Sequence, residues 1–402
     1  MKQLIAGIAL STALFVPGVA PAAGPAPSPG KAPIVVPFEL VNRHVFVRVD
    51  VGTRRLGFVF DTGAPNVIID LGRAKELGLA LGGELQAHGA AGPVAGAFLR
   101  GAKYTISGVP LSDDAITVAM PLQEMARGFG RDFDGILGAD FIRQFVVEID
   151  YASRVLRLHD RDAFAYAGPG ETIPIRFNHS GHPVFDGTIT PVGGSPIPAR
   201  IVLDLGSSGA LDLRSPFVAA HHLPGPGVAT IPGIGLAGAG GEVSATLGRV
   251  AAVRIGRFTI DRPVALFSRD RTGAFALKDV DASVGQRVAE RFRIFLDYAH
   301  DRLILEPTGA PEPPQRAFSG AAIEAAGAGY RTFRVSKVTA DGPAARAGIA
   351  VGDVIESIDG KAAADLTLSD VFALLEKPAT RSIGVRRGAG SLTLTLTPEP
   401  LA

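Results

Sequence analysis

The sequence describes a mainly β protein in which one fold occurs twice, followed by a smaller α+β unit. Composition supplies the first reason. Gly (50) and Pro (30) make up about a fifth of the 402 residues, while apolar residues reach 47%. That mixture excludes disorder and helical bundles and suits short strands joined by many turns. The second reason is self-similarity at long period. Phe58-Val59-Phe60-Asp61-Thr62-Gly63-Ala64, then Val67-Ile68-Ile69-Asp70, is echoed by Ile201-Val202-Leu203-Asp204-Leu205-Gly206-Ser207, then Ala210-Leu211-Asp212. Downstream, Phe145–Tyr151 with Arg154-Val155-Leu156 is echoed by Phe292–Tyr298 with Arg302-Leu303-Ile304. Tyr151 follows Asp61 by 90 residues and Tyr298 follows Asp204 by 94. Two unrelated landmarks in one order at one separation indicate duplication. Last, a Pro-rich linker at Pro311-Glu312-Pro313-Pro314 marks a third unit.

Taken from the N-terminus, residues 1–22 read as a signal peptide. Lys2 is a small positive region, Leu4 to Val16 is almost wholly apolar, and Ala20-Pro21-Ala22 offers small residues for cleavage. The apolar run is too short for an ordinary membrane span. A secreted or periplasmic protein is expected, with no membrane attachment after cleavage. Lobe 1 is assigned to 34–165 and lobe 2 to 166–308. Within lobe 1, His44–Val51 alternates apolar and polar residues, as a half-buried strand does. A short helix is expected after each Asp-x-Gly segment; in lobe 2 Ser215 is the expected N-cap, with Pro216 at the first helical position. The glycine-rich stretches Gly89–Gly96 and Gly233–Gly241 fall at similar places in the two copies and read as flaps. The third unit is assigned to 316–398.

Several function classes drop out. Lys plus Arg (40) and Asp plus Glu (39) nearly cancel, and no basic run supplies a local field, so no nucleic-acid partner is expected. Cysteine is absent, which removes disulfides, thiolate zinc sites and cysteine nucleophiles. His221 and His222 are adjacent and do not share a helix face as metal ligands would. Neither a His-Glu-x-x-His nor a Gly-x-Ser-x-Gly segment occurs. No metal and no cofactor is expected.

What remains is a repeated Asp-x-Gly after an apolar strand. A carboxylate at the end of a buried strand is costly unless hydrogen-bonded. Gly two residues on lets the backbone turn and bring its amides to the carboxylate. Two such loops meeting at an approximate two-fold axis would put two carboxylates in contact, and like charges so close share a proton. The ionised member can activate water while its partner protonates a carbonyl oxygen.

At these residues the sequence resembles the retropepsin-like aspartic proteases, in a bacterial single-chain form with two protease-like repeats. Phe60-Asp61-Thr62-Gly63-Ala64 is similar to the family's active-site loop. Gly135-Ile136-Leu137-Gly138 is similar to the apolar-apolar-Gly segment that supports that loop from beneath. The resemblance implies catalysis by Asp61 and Asp204, with Thr62, Gly63, Ala64, Gly206 and Ser207 shaping the loops and Ile136, Leu137 and Gly138 supporting them. Ser207 is expected to donate to Asp204 and leave the shared proton on Asp61. The second copy departs from the pattern: Leu205 replaces the hydroxyl residue whose bond locks the loops together, so a lopsided lock through Thr62 is expected. Val284-Gly285 is only a faint counterpart of the supporting segment.

Residues from Phe333 resemble a PDZ domain. Phe333–Val338 reads as a strand, and Gly342–Ile349, Gly352-Asp353-Val354-Ile355 and Ile358-Asp359-Gly360 form its most recognisable run. Leu368, Val371, Phe372 and Leu375 share a helical face, and Leu392–Leu396 closes as a strand. The resemblance implies a site for C-terminal peptides, with Phe318-Ser319-Gly320-Ala321 as the carboxylate loop. Together these features lead to an exported aspartic endopeptidase acting on peptide or protein substrates as a monomer. The rival expectation is an inactive protease-like scaffold that binds peptides through its PDZ domain.

Overall fold

The structure is a computed structural model and describes residues 32–90, 92–111, 116–233, 237–309 and 317–401. The expected signal peptide, the Pro-rich linker and part of the second glycine-rich stretch lie outside the described residues. Among the described residues no helix is long and apolar enough to cross a membrane.

The two lobes repeat each other strand for strand. Lobe 1 folds as a sheet ordered Ala80–His88, Pro93–Arg100, Thr117–Met120, Val67–Asp70, Gly135–Leu137, Arg54–Phe60, His44–Val51, Tyr104–Ile106 and Val109–Pro110. Lobe 2 runs Ile231–Pro232, Ala245–Arg249, Val264–Ser268, Leu211–Leu213, Ala282–Val284, Ile197–Leu203, Pro183–Thr190, Ala252–Ile255 and Phe258–Asp261 in the same order. Each sheet curls around apolar side chains, and Phe58, Phe60, Phe185 and Ile201 are sealed from solvent.

A six-stranded sheet joins the lobes, with Val146–Asp150 and Phe292–Asp297 antiparallel at its centre. Glu148 faces Phe295 there. These residues hold equivalent places, each three before the Tyr that closes its landmark, so the two-fold axis passes between them. The second landmark of the repeat is thus the seam of the duplication. Buried Val147, Ile149, Ile294 and Leu296 fill it.

One local detail differs from expectation. The helix Ser215–Ala220 is preceded by Arg214 at the N-cap, and no side chain caps it. The Ser215 hydroxyl bonds instead to Ser268 Oγ at 2.9 Å.

The third unit runs from Ala317 to Leu401. Its sheet is ordered Ala321–Ala326, Thr332–Val338, Val354–Ile358, Arg381–Arg387 and Gly390–Leu396. The helix Leu368–Leu375 packs on it through buried Leu368, Val371 and Leu375 and starts from a Thr367–Asp370 capping box. Asp359 and Gly360 both have positive φ, as a two-residue hairpin turn between Val354–Ile358 and Lys361–Ala362 requires. This unit sits on the cleft side of both lobes. The Tyr330 hydroxyl donates to Asp132 of lobe 1 at 2.7 Å, Arg287 of lobe 2 pairs with Glu376 at 2.6 Å, and Lys337 pairs with Glu242.

Candidate active site

Asp61 follows the last residue of Arg54–Phe60, and Asp204 follows the last residue of Ile197–Leu203. Each loop turns back on its own carboxylate: the Gly63 amide donates to Asp61 Oδ1 at 2.7 Å and the Gly206 amide to Asp204 Oδ1 at 3.0 Å. Glycine is required at both places for a second reason. A Cβ on Gly63 would lie 2.6 Å from Asp204 Oδ1, and one on Gly206 would lie 2.5 Å from Asp61 Oδ1. Each carboxylate is pressed against the opposite loop, which brings the two carboxyl groups close enough for the charge of one to act on the other.

Burial and the charge of Asp204 push the Asp61 carboxyl up to about 7, with the Gly63 and Gly206 amides pulling the other way. At mildly acidic pH Asp61 therefore holds a proton.

The loops are locked by one hydroxyl. Thr62 Oγ1 donates to the Leu203 carbonyl at 2.5 Å and accepts from the Leu205 amide at 2.9 Å. Leu205 contributes no hydroxyl; its side chain is sealed in the core. Its carbonyl accepts from Gln286 Nε2 at 3.0 Å, and Tyr151 anchors Gln286 from the central sheet at 2.7 Å.

The supporting segments are equivalent despite their unlike sequences. Gly135–Leu137 runs parallel to Arg54–Phe60, and the Leu137 carbonyl accepts from the Asp61 amide at 3.0 Å. Ala282–Val284 does the same beside Ile197–Leu203, with Val284 accepting from Asp204 at 2.9 Å. A Cβ on Gly138 would meet the Ala64 carbonyl oxygen at 2.4 Å, and one on Gly285 the Ser207 oxygen at 2.8 Å. Val284-Gly285 is a full counterpart of Leu137-Gly138, and Ile136, Leu137 and Ala64 are buried around the first loop.

The Ser207 hydroxyl does not bond to the Asp204 carboxylate. It donates to Asp212 Oδ2 at 2.7 Å. Ser207 keeps the backbone place of Ala64, and the added loop residue lies beyond it: Ile136 pairs with Ile68, seven residues after Asp61, whereas Ser283 pairs with Asp212, eight after Asp204. The register also puts Asp212 and Ser283 where lobe 1 has Ile68 and Ile136. Burial raises Asp212 to about 6, opposed by the Ser207 hydrogen bond. Beside it, Arg214 donates to Ser283 Oγ at 2.7 Å with its guanidinium over the Phe275 ring. Asp212 and Arg214 therefore add charged side chains to the lobe 2 lining of the cleft, where lobe 1 offers Ile68 and Ile136.

Two functional residues lay outside the sequence reading. His44 Nε2 lies 3.1 Å from the Gly206 carbonyl oxygen, and His182 Nε2 lies 3.0 Å from that of Gly63. Only the imidazole can donate in these bonds, so each proton sits on Nε2. Burial lowers both, His44 to about 4. The signal was available only in hindsight: a lone histidine at the start of His44–Val51 and another just before Pro183–Thr190.

A cavity of about 940 Å³ contains Asp61 and Asp204. Gly89 and Gly92 of one hairpin meet Ala239 and Gly240 of the other over it, close enough that a Cβ on Gly89 would strike the Ala239 carbonyl. Among the described residues no group of three or more His, Asp or Glu side chains is placed to hold a metal ion.

Comparison with known proteins agrees with this geometry. Residues 47–141 match the aspartyl protease family, and residues 334–387 match the PDZ domain family. This chain contains an aspartyl protease domain and a PDZ domain. The protease match covers the first lobe's Asp-Thr-Gly loop and its Gly135–Gly138 support, while the second lobe lies outside it and is related to the first by the repeated Asp-x-Gly segment, the strand order and the matching loop bonds. No curated protein matches the chain.

Proposed function

We propose that the protein is an exported aspartic endopeptidase whose two lobes supply one carboxylate each, so that a single chain suffices. The observation that carries the reading is the contact between Asp61 and Asp204, with Asp61 raised to about 7 at the base of a substrate-sized cavity. Ionised Asp204 takes a proton from water as that water attacks the peptide carbonyl. Asp61 gives its proton to the carbonyl oxygen, leaving a tetrahedral diol. Collapse of the diol returns a proton through the pair to the departing amine. Thr62, Gln286 and the two histidines hold the loops in register, which is the orientation such proton transfers need.

The inactive-scaffold reading drew its support from Leu205. Thr62 bonds to both Leu203 and Leu205 and so supplies the lock from one side, which removes that support. The test is cleavage of a peptide library by the full chain between pH 3 and 9, read by mass spectrometry, with Asp61→Asn as control. New termini made by the parent and not by the variant are expected. Equal products from both would overturn the reading.

A further inference from the structure

We propose that the enzyme cuts its substrates at a short, set distance from a free C-terminus, because the PDZ groove and the carboxylate pair open into one cavity. This rests on the endopeptidase reading above and adds the substrate class.

The groove is built to accept an extended chain. Ala321–Ala326 is the edge strand of its sheet, bonded to Thr332–Val338 on one side. Such an edge beside a helix takes a peptide by strand addition. Before the strand, the carbonyls of Ser319 and Gly320 accept from the amides of Ala344 and Thr339, both at 2.8 Å. With those carbonyls turned into the domain and Gly320 at φ +78, a terminal carboxylate could take the loop's amides, replacing the Ser319 hydroxyl that now accepts from the Ala321 amide at 3.3 Å.

The groove faces the protease rather than open solvent. Ser319, Ile323, Phe372 and Ala373 line the same cavity as Asp61 and Asp204. Both of its ends are tied to the active-site loops. At the carboxylate end, Glu376 accepts from the Ala317 amide and from Arg287, and the neighbouring Gln286 amide bonds to the Ser207 carbonyl. At the other end, Ser369 Oγ accepts from the Asn42 amide at 2.8 Å, two residues before the histidine that reaches Gly206.

The direction also follows. A strand added with its terminus at Ser319-Gly320 runs upstream toward Ser369. There the lobe 1 helix Gln123–Phe129 lies against the edge strand, and Gly130 abuts Leu368 so closely that a Cβ would sit 2.5 Å from it. A chain leaving the groove through the shared cavity would enter the cleft. The cut should therefore fall at a set number of residues from the C-terminus, fixed by the span between the carboxylate loop and the dyad at about 3.3 Å per residue of extended chain.

The experiment uses the full chain and a set of 20-residue peptides of one sequence. One member ends in a free carboxylate, one in an amide, and one carries three additional residues at its C-terminus. A carboxylate held by backbone amides favours the free acid over the amide by about tenfold or more in kcat/KM. The cut should shift by three residues with the extended peptide. Ala373→Arg, an exposed helix position facing the cavity, should bring the free acid down to the rate of the amide. Cleavage at one internal bond in all three, at equal rates, would overturn this inference and leave the endopeptidase intact. No cleavage of any peptide would overturn both.

Discussion

His44 and His182 occupy the same place in the two lobes, and each crosses the axis to hold the other lobe's Asp-x-Gly carbonyl. His44 stands two residues before Phe46, which pairs with Val59; His182 stands two before Val184, which pairs with Val202. The lobes are thus cross-braced by side chains as well as by the central sheet. His44→Leu removes the donor to Gly206, and kcat is expected to fall about fivefold to tenfold with KM little changed. His44→Gln, which keeps an N–H donor, should recover most of it. Unchanged kcat in the Leu variant would remove His44 from the loop's support.

The same histidine bears on acid stability. Its folded pKa of about 4 lies below the ordinary 6.5, so the unfolded chain binds the proton more readily between those values. Stability from this group is full above pH 6.5 and is lost as pH falls toward 4. His44→Gln should therefore flatten the fall in Tm from pH 6.5 to 4, and a parallel fall in both proteins would contradict it.

Thr62 and Leu205 predict an unequal response. Thr62→Val strips a partner from two buried backbone groups, each costing about 1–3 kcal/mol to leave unsatisfied. Leu205→Thr looks like a repair toward the family pattern. Yet Leu205 is fully buried among apolar side chains, and a smaller polar residue there should also destabilise, by about 1–3 kcal/mol. Urea unfolding of the two variants decides this. A stabilised Leu205→Thr protein would mean that the missing hydroxyl is a defect and not an adaptation.

What was legible in the sequence was what is local in the chain. Asp61-Thr62-Gly63 and Asp204-Leu205-Gly206 announce themselves because the turn and its carboxylate lie within three residues. The duplication was legible because both landmarks are strands with their own apolar patterns. What escaped were relations that only the fold makes. The histidine bonds join residues separated by 162 and 119 positions. The inward-facing PDZ groove depends on contacts such as Asn42 to Ser369, 327 positions apart. Ser207 was misread for a subtler reason. Alignment on Asp204 puts it beside the carboxylate and its backbone does keep that place, but its hydroxyl turns to Asp212, which stands where lobe 1 has Ile68 and is a partner no motif contains.

That correction yields its own prediction. Ser207→Ala removes a hydrogen bond that favours ionised Asp212, so Asp212 should titrate higher still. The dyad keeps its own contacts, and the acid limb of kcat/KM should stay within about half a unit of the parent. A larger displacement would show that Asp212 is coupled tightly to Asp204 and belongs to the titrating unit.

The last prediction concerns Asp61 itself. Its folded carboxyl lies at about 7, above the ordinary 3.8, so the native state holds a proton that the unfolded chain releases. The stabilisation that this proton brings is full below about pH 4 and is lost as pH rises through 7, each unit of the shift amounting to about 1.4 kcal/mol. Asp61→Asn is neutral at every pH and close in shape to the protonated acid. It should abolish cleavage, yet its Tm should exceed the parent's at pH 8 and converge with it at pH 4. Activity of the parent should fall along the same curve, since the shared proton is also the one given to the substrate. Thermal melts of both proteins at pH 4, 6 and 8, beside the parent's pH–rate profile, test the two together. A parent whose Tm margin below the variant does not widen between pH 4 and 8 would mean that Asp61 is ionised in the folded protein, and the roles proposed for the two carboxylates would have to be exchanged.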